Sequence, residues 1–132
     1  MNTTYTNSQG NSANVNQIKQ GDEITIKVEI KNTDIVDQDN LALTVKAASG
    51  WEIINPRLYS TNEGENDNFN YQDYRDDKVY TYFELDVSKK RTYTFKVKAN
   101  LKGDFYLPSI VCENMYDGNI YARTKASRTA VQ

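Results

Sequence analysis

The 132-residue sequence contains no histidine. That single absence excludes Ser-His-Asp and Cys-His catalysis, His-ligated zinc and histidine pH switching. Cys112 is its one cysteine, so no intrachain disulfide and no cysteine metal cluster can form. No stretch approaches ~18 consecutive apolar residues, so no membrane-spanning segment is expected. The opening residues, Met1 to Tyr5, have neither the basic nor the apolar region of a signal peptide. An excess of one charge is also missing: 16 Lys and Arg stand against 18 Asp and Glu, a formal −2. That balance argues against a dedicated polybasic nucleic-acid or membrane-surface protein. Helical periodicity is lacking as well, since no window keeps apolar residues at i, i+3, i+4 and i+7 over three turns. Hydrophobic residues make up 38 %, and six glycines bring the composition close to globular values. One domain is expected at this length, with enough buried surface for one core.

The period that is present is two. Ile24, Ile26, Val28 and Ile30 alternate with Thr25, Lys27 and Glu29, after a turn at Gly21-Asp22. Leu41, Leu43, Val45 and Ala47 repeat the pattern, and Trp51 to Ile54 resumes it after Ser49-Gly50. In 78–85, Val79, Thr81, Phe83 and Leu85 share one face while Tyr80, Tyr82 and Glu84 share the other. Tyr93, Phe95, Val97 and Ala99 alternate with threonines and lysines. Beyond Gly103-Asp104, the run Phe105, Leu107, Ile110 and Cys112 reads as a strand that continues past Pro108. The tail from Ile120 to Val131 reads as one edge strand, with Lys125 and Arg128 discouraging aggregation. Seven or eight short strands with turn signals between them predict an all-β, antiparallel two-sheet sandwich. Residues 6–20 read as a polar, mobile loop, and 55–77 as a long connection.

Several patterns suggest chemistry, and each has a plainer reading. Residues 62–77 hold six acids against Arg75, a local −5. Hard oxygen ligands suit calcium, but Phe69 and Tyr71 stand where an EF-hand would need ligands after Asp67. A solvated acidic loop is the expectation, with 62–70 its most protease-sensitive part. Asp34, Asp37, Asp39 and Asn40 form a smaller acidic turn. Residues 89–102 carry six basic side chains and no acid. Alternation puts Tyr93 and Phe95 opposite Lys96 and Lys98, so the basic face lacks a base-stacking platform. Cys112, in apolar phase with Ile110, reads as a buried inert thiol. Ten tyrosines are enough for a sugar-binding or adhesive face, whereas Trp51 reads as a core plug. No catalytic residue, metal site or cofactor is expected.

Four strings in order resemble the bacterial alpha-2-macroglobulin family: Gln20-Gly21-Asp22-Glu23; Gly50 to Leu58; Tyr74-Arg75-Asp76-Asp77-Lys78-Val79; and Gly103-Asp104-Phe105, Pro108, Glu113-Asn114-Met115-Tyr116. Cys112 stands where that family commonly has Ala, and Asp117-Gly118 where it commonly has a nearby Pro. The resemblance implies that residues 1–132 form one macroglobulin-like sandwich, akin to fibronectin III architecture, from a much larger envelope-associated chain. It further implies a parent that traps proteases, with an activated thioester in many members. The Cys-Gly-Glu-Gln string of the thioester is not present, so the resemblance implies a non-reactive domain packed beside the thioester domain. Partners are then other domains of the parent and, indirectly, proteases; neither nucleic acid nor a direct membrane span is implied. Possible interface residues are Tyr116, Met115, Arg75, Asp76 and Asp77. Arg75 has acids at hand for its planar donor fork, and Met115-Tyr116 offers one apolar and one wet side. An internal salt bridge and an internally packed loop remain open as alternatives.

Overall fold

A computed structural model describes residues 1–7, 9–32, 36–54, 71–117 and 121–132. Among these, eleven strands form and no helix does. They are β1 (Asn2–Asn7), β2 (Glu23–Lys31), β3 (Gln38–Lys46), β4 (Trp51–Ile54), β5 (Tyr71–Tyr74) and β6 (Lys78–Leu85). β7 (Lys90–Ala99), β8 (Gly103–Leu107), β9 (Val111–Asn114), β10 (Tyr121–Arg123) and β11 (Ser127–Val131) complete the order. One sheet runs β1-β2-β7-β4, a second runs β10-β9-β3-β6-β5, and β8 pairs with β11. Every strand pair is antiparallel.

Alternation decides which faces meet. Ile24, Ile26, Val28 and Ile30 of β2 are buried, and so are Tyr93, Phe95, Val97 and Ala99 of β7. Opposite them lie Leu41, Leu43 and Val45 of β3 and Val79, Phe83 and Leu85 of β6. The rings of Phe83 and Tyr93 meet between the sheets, with centroids 5.2 Å apart and planes tilted by 60°. Each large apolar side chain buried here contributes about 1.5–3 kcal/mol. The core also takes two polar groups as a pair: buried Gln72 donates from Nε2 to the buried Thr81 hydroxyl at 2.9 Å.

The architecture departs from the sequence reading in three places. Residues 9–20 are anchored. Ile18 is buried and bridged to Val131, its N–H donates to Ala130 and its carbonyl accepts from Gln132. The Thr129 hydroxyl donates to the Val15 carbonyl. Polar composition hid this, because two apolar residues, Ile18 and Val15, and a few hydrogen bonds suffice to dock the segment.

The tail is not one strand, and neither is the run through Pro108. β8 ends at Leu107 and β9 begins at Val111 in another sheet; β10 and β11 divide the tail in the same way. The two crossings are stapled together. The Ile110 N–H donates to the Thr124 hydroxyl at 2.8 Å, and the Thr124 N–H donates to the Ile110 carbonyl at 2.9 Å. These splits, with β1 and β5, raise the strand number above the expected seven or eight. The expected protease-sensitive segment 62–70 lies outside the described residues.

Candidate functional site

The Met115-Tyr116 pair follows β9 at the end of the five-stranded sheet where β3 begins and β6 ends. Register sets this: Asn114 lies opposite Leu41, and Leu41 opposite Phe83. Tyr116 is 83 % exposed and Met115 48 %. Asn114 holds the pair in place. Its Nδ2 donates to Gln38 Oε1 and to the Asp39 carbonyl, each at 3.1 Å. Its Oδ1 accepts from the N–H groups of Tyr116 at 2.9 Å and Asp117 at 3.2 Å, an Asx turn. The Met115 N–H donates to the carbonyl of Asn40. Asn40 has φ 59°, at the point where the β3–β6 register shifts. Asn tolerates this left-handed conformation better than most residues, because its short amide bonds locally.

The same end carries Val36 and Val87, so four of the eight large exposed apolar side chains among the described residues gather there. Polar side chains fix the backbones that present them. Buried Asn32 donates from Nδ2 to the carbonyls of Val36 and Leu85, both at 2.9 Å. Asp37 Oδ1 accepts the Val87 N–H at 2.7 Å. Sequence reading gave Asn32, Asn114 and Asp37 no such task. An Asn or Asp at a strand end looks like any other turn residue until its register partner is known.

Arg75, Asp76 and Asp77 lie elsewhere. They form the turn from β5 to β6, closed by the Arg75 N–H on the Lys78 carbonyl at 2.8 Å. Lys78 pairs with Lys46, at the opposite end of the sheet from Asn114. Phe83 is five residue steps on from Lys78, roughly 17 Å along the strand. The five candidate residues therefore form two groups. Arg75 bonds Asp73 through Nε at 2.9 Å, rather than Asp76 or Asp77. The bond and charge of Asp73 raise the Arg75 pKa further above its ordinary value.

The remaining patterns resolve locally. Cys112 is buried, and burial pushes its thiol pKa up to about 12, with a smaller push from Glu113. A thiol so placed is neither a nucleophile nor a metal ligand at neutral pH. Lys98 lies between Glu23 and Glu52 in cross-strand register, so acids from neighbouring strands break up the basic run. Tyr93, Phe95 and Trp51 are buried in the core. Among the described residues, no three Asp, Glu or Cys side chains cluster closely enough to hold a metal ion. No helix among them is long and apolar enough to cross a membrane.

Two of the quoted strings meet at one ring. The Phe105 side chain packs against both Gly50 and Gly103. A Cβ at Gly50 would lie 2.3 Å from that ring, and one at Gly103 would lie 3.2 Å from it. Gly103 also has φ 139°, which an L side chain rarely adopts. The spacing of Gly50-Trp51 and Gly103-Asp104-Phe105 thus reflects packing of the β4 start against β8. Asn55 to Leu58 of the same string lie outside the described residues.

Two antiparallel sheets packed face to face, with exposed apolar side chains gathered at one loop end, define an immunoglobulin-like β-sandwich of the macroglobulin type. The chain belongs to the family described as the bacterial alpha-2-macroglobulin MG10 domain, which matches residues 2–119. It is 30 % identical over 118 residues to the alpha-2-macroglobulin of Rickettsia conorii, covering 86 % of this chain and 6 % of that protein. It is 25 % identical over 115 residues to circularly permutated Ras protein 2 of Dictyostelium discoideum, covering 87 % of this chain and 3 % of that protein. Native Escherichia coli alpha-2-macroglobulin, from domain MG7 to the C-terminus, has the same fold. The match has a TM-score of 0.84 at 15 % identity and covers 99 % of this chain and 23 % of that one. The chain thus spans a small fraction of each relative's length.

Proposed function

We propose that residues 1–132 are one non-catalytic structural and interaction domain of a bacterial alpha-2-macroglobulin-type protease inhibitor. In this reading the domain packs against the thioester-type domain of its parent through the Met115-Tyr116 end. Proteases are then indirect partners, met by the parent in the bacterial cell envelope. The observation that carries the reading is the presentation of Tyr116: almost fully exposed, yet held by an Asx turn and tethered to β3 through Asn114. A loop whose backbone is already fixed has lost part of the entropy that binding would otherwise cost. Tyrosine and methionine also suit the core of an interface. The family membership and the alpha-2-macroglobulin relatives support the kind of parent. The buried Cys112, with no Cys-Gly-Glu-Gln string around it, supports a domain that bears no thioester itself.

Tyr116→Ala tests this. The isolated chain should keep its stability within about 0.5 kcal/mol, as at surface sites. The full-length parent should lose docking of this domain, and a thioester-bearing parent should hydrolyse its thioester faster. A loss of about 3–5 kcal/mol in the isolated chain would mean that Tyr116 packs internally. Unchanged docking in the parent would refute the interface. Mass spectrometry of the isolated chain after methylamine treatment should show no covalent gain; a stoichiometric adduct would overturn the division of labour.

A further inference from the structure

A second surface, distinct from the Met115-Tyr116 end, lies on the outer face of the five-stranded sheet. Strand register places its side chains in two rows. One row reads Tyr121, Glu113, Ala42, Tyr82, Tyr71 across all five strands. The next reads Arg123, Val111, Thr44, Tyr80, Asp73. Tyr71 and Tyr121 are 58 % and 61 % exposed and stand at the two edges. The Tyr71 and Tyr82 rings are 6.0 Å apart at 27°, and those of Tyr80 and Tyr82 are 6.4 Å apart at 18°. Small residues, Ala42 and Thr44, occupy the central strand, and Ala42 is buried, so the larger side chains of the flanking strands supply the accessible surface. Glu113, Arg123 and Lys78 border it, and Asp73 there is already paired with Arg75. Lys78 Nζ sits 5.6 Å over the Tyr80 ring.

We propose that this face binds a neutral, extended oligosaccharide. Pyranose rings offer flat apolar faces edged by hydroxyls. Tyrosines supply matching flat surface with a polar tip, carboxylates accept hydroxyl hydrogens, and Arg123 donates to ring and hydroxyl oxygens. A net charge of about +1, with Asp73 and Arg75 paired to each other, is too small to favour a polyanion or a polycation. Size points the same way. Five strands at about 4.8 Å spacing and two rows, each about 7 Å deep, give a footprint of roughly 300 Å². A standard protein interface needs about 800 Å² on each partner.

The test is calorimetric titration of the chain with β-1,4-linked hexamers of glucose and of N-acetylglucosamine, to about 5 mM. Saturable binding is expected for one of them. Tyr71→Ala and Tyr121→Ala, on opposite sheet edges, should each weaken it about tenfold. Tyr116→Ala should leave it unchanged, which separates this face from the interface proposed above. Amide chemical shifts of the unmodified chain should change at Ala42, Thr44 and Val111, a readout that needs no variant. No saturable binding of either hexamer would overturn the proposal. So would binding that both edge variants retain, or shift changes confined to another surface.

Discussion

Replacing Asn114 by alanine tests how Met115 and Tyr116 are held. The substitution removes four hydrogen bonds made by one side chain. Losing the Oδ1 acceptor resembles losing a helix N-cap, at about 1 kcal/mol. The two Nδ2 bonds lie at partly exposed positions, where water replaces the partner, so each contributes about 0.5 kcal/mol. Asn114→Ala should therefore destabilise the chain by about 2 kcal/mol. At this chain length that lowers Tm by roughly 6–10 °C. Hydrogen exchange at the Tyr116 and Asp117 amides should accelerate. Asn114→Asp separates the two halves of the arrangement. It keeps an acceptor for the Asx turn but sets a carboxylate against Gln38 Oε1 and the Asp39 carbonyl. The tether to β3 should fail while the two amides stay protected. An Asn114→Ala chain within about 0.5 kcal/mol of the parent sequence, with unchanged exchange, would refute the reasoning.

Gly50→Ala should cost about 1–3 kcal/mol in chemical denaturation, because its Cβ must displace the Phe105 ring; a neutral substitution would show that the ring moves freely. Cys112 should resist iodoacetamide at about pH 8 in the native chain and react once urea unfolds it. Fast native alkylation would contradict its burial. The thiol's folded pKa of about 12 lies above its ordinary value of 9.0. Its contribution to stability is therefore full below about pH 9 and is lost as pH rises toward 12. Cys112→Ala should remove that part of the alkaline decline, measured as the midpoint of urea unfolding against pH.

The sequence by itself determined the class of the fold and the inner faces of its long strands. Side chains two apart on a strand point the same way, so Ile24 to Ile30, Val79 to Leu85 and Tyr93 to Ala99 declare their buried face locally. The exclusion of histidine chemistry needed only the composition, and the resemblance that marked the family rested on strings that survive in order. Position 112 was likewise legible from its phase. Which strands share a sheet was not legible, because hydrogen bonding between strands is non-local and any alternating segment can pair with any other. That is why the run across Pro108 and the tail both looked continuous although each switches sheets, and why residues 9–20 looked unanchored. Cross-strand register alone decided the rest. It set Lys98 between Glu23 and Glu52. It brought Asn114 from the far end of the sequence onto Gln38 and Asp39, and lined up tyrosines from three strands on one face. Each of these is a contact between residues that only the pairing of distant strands brings within a few ångströms.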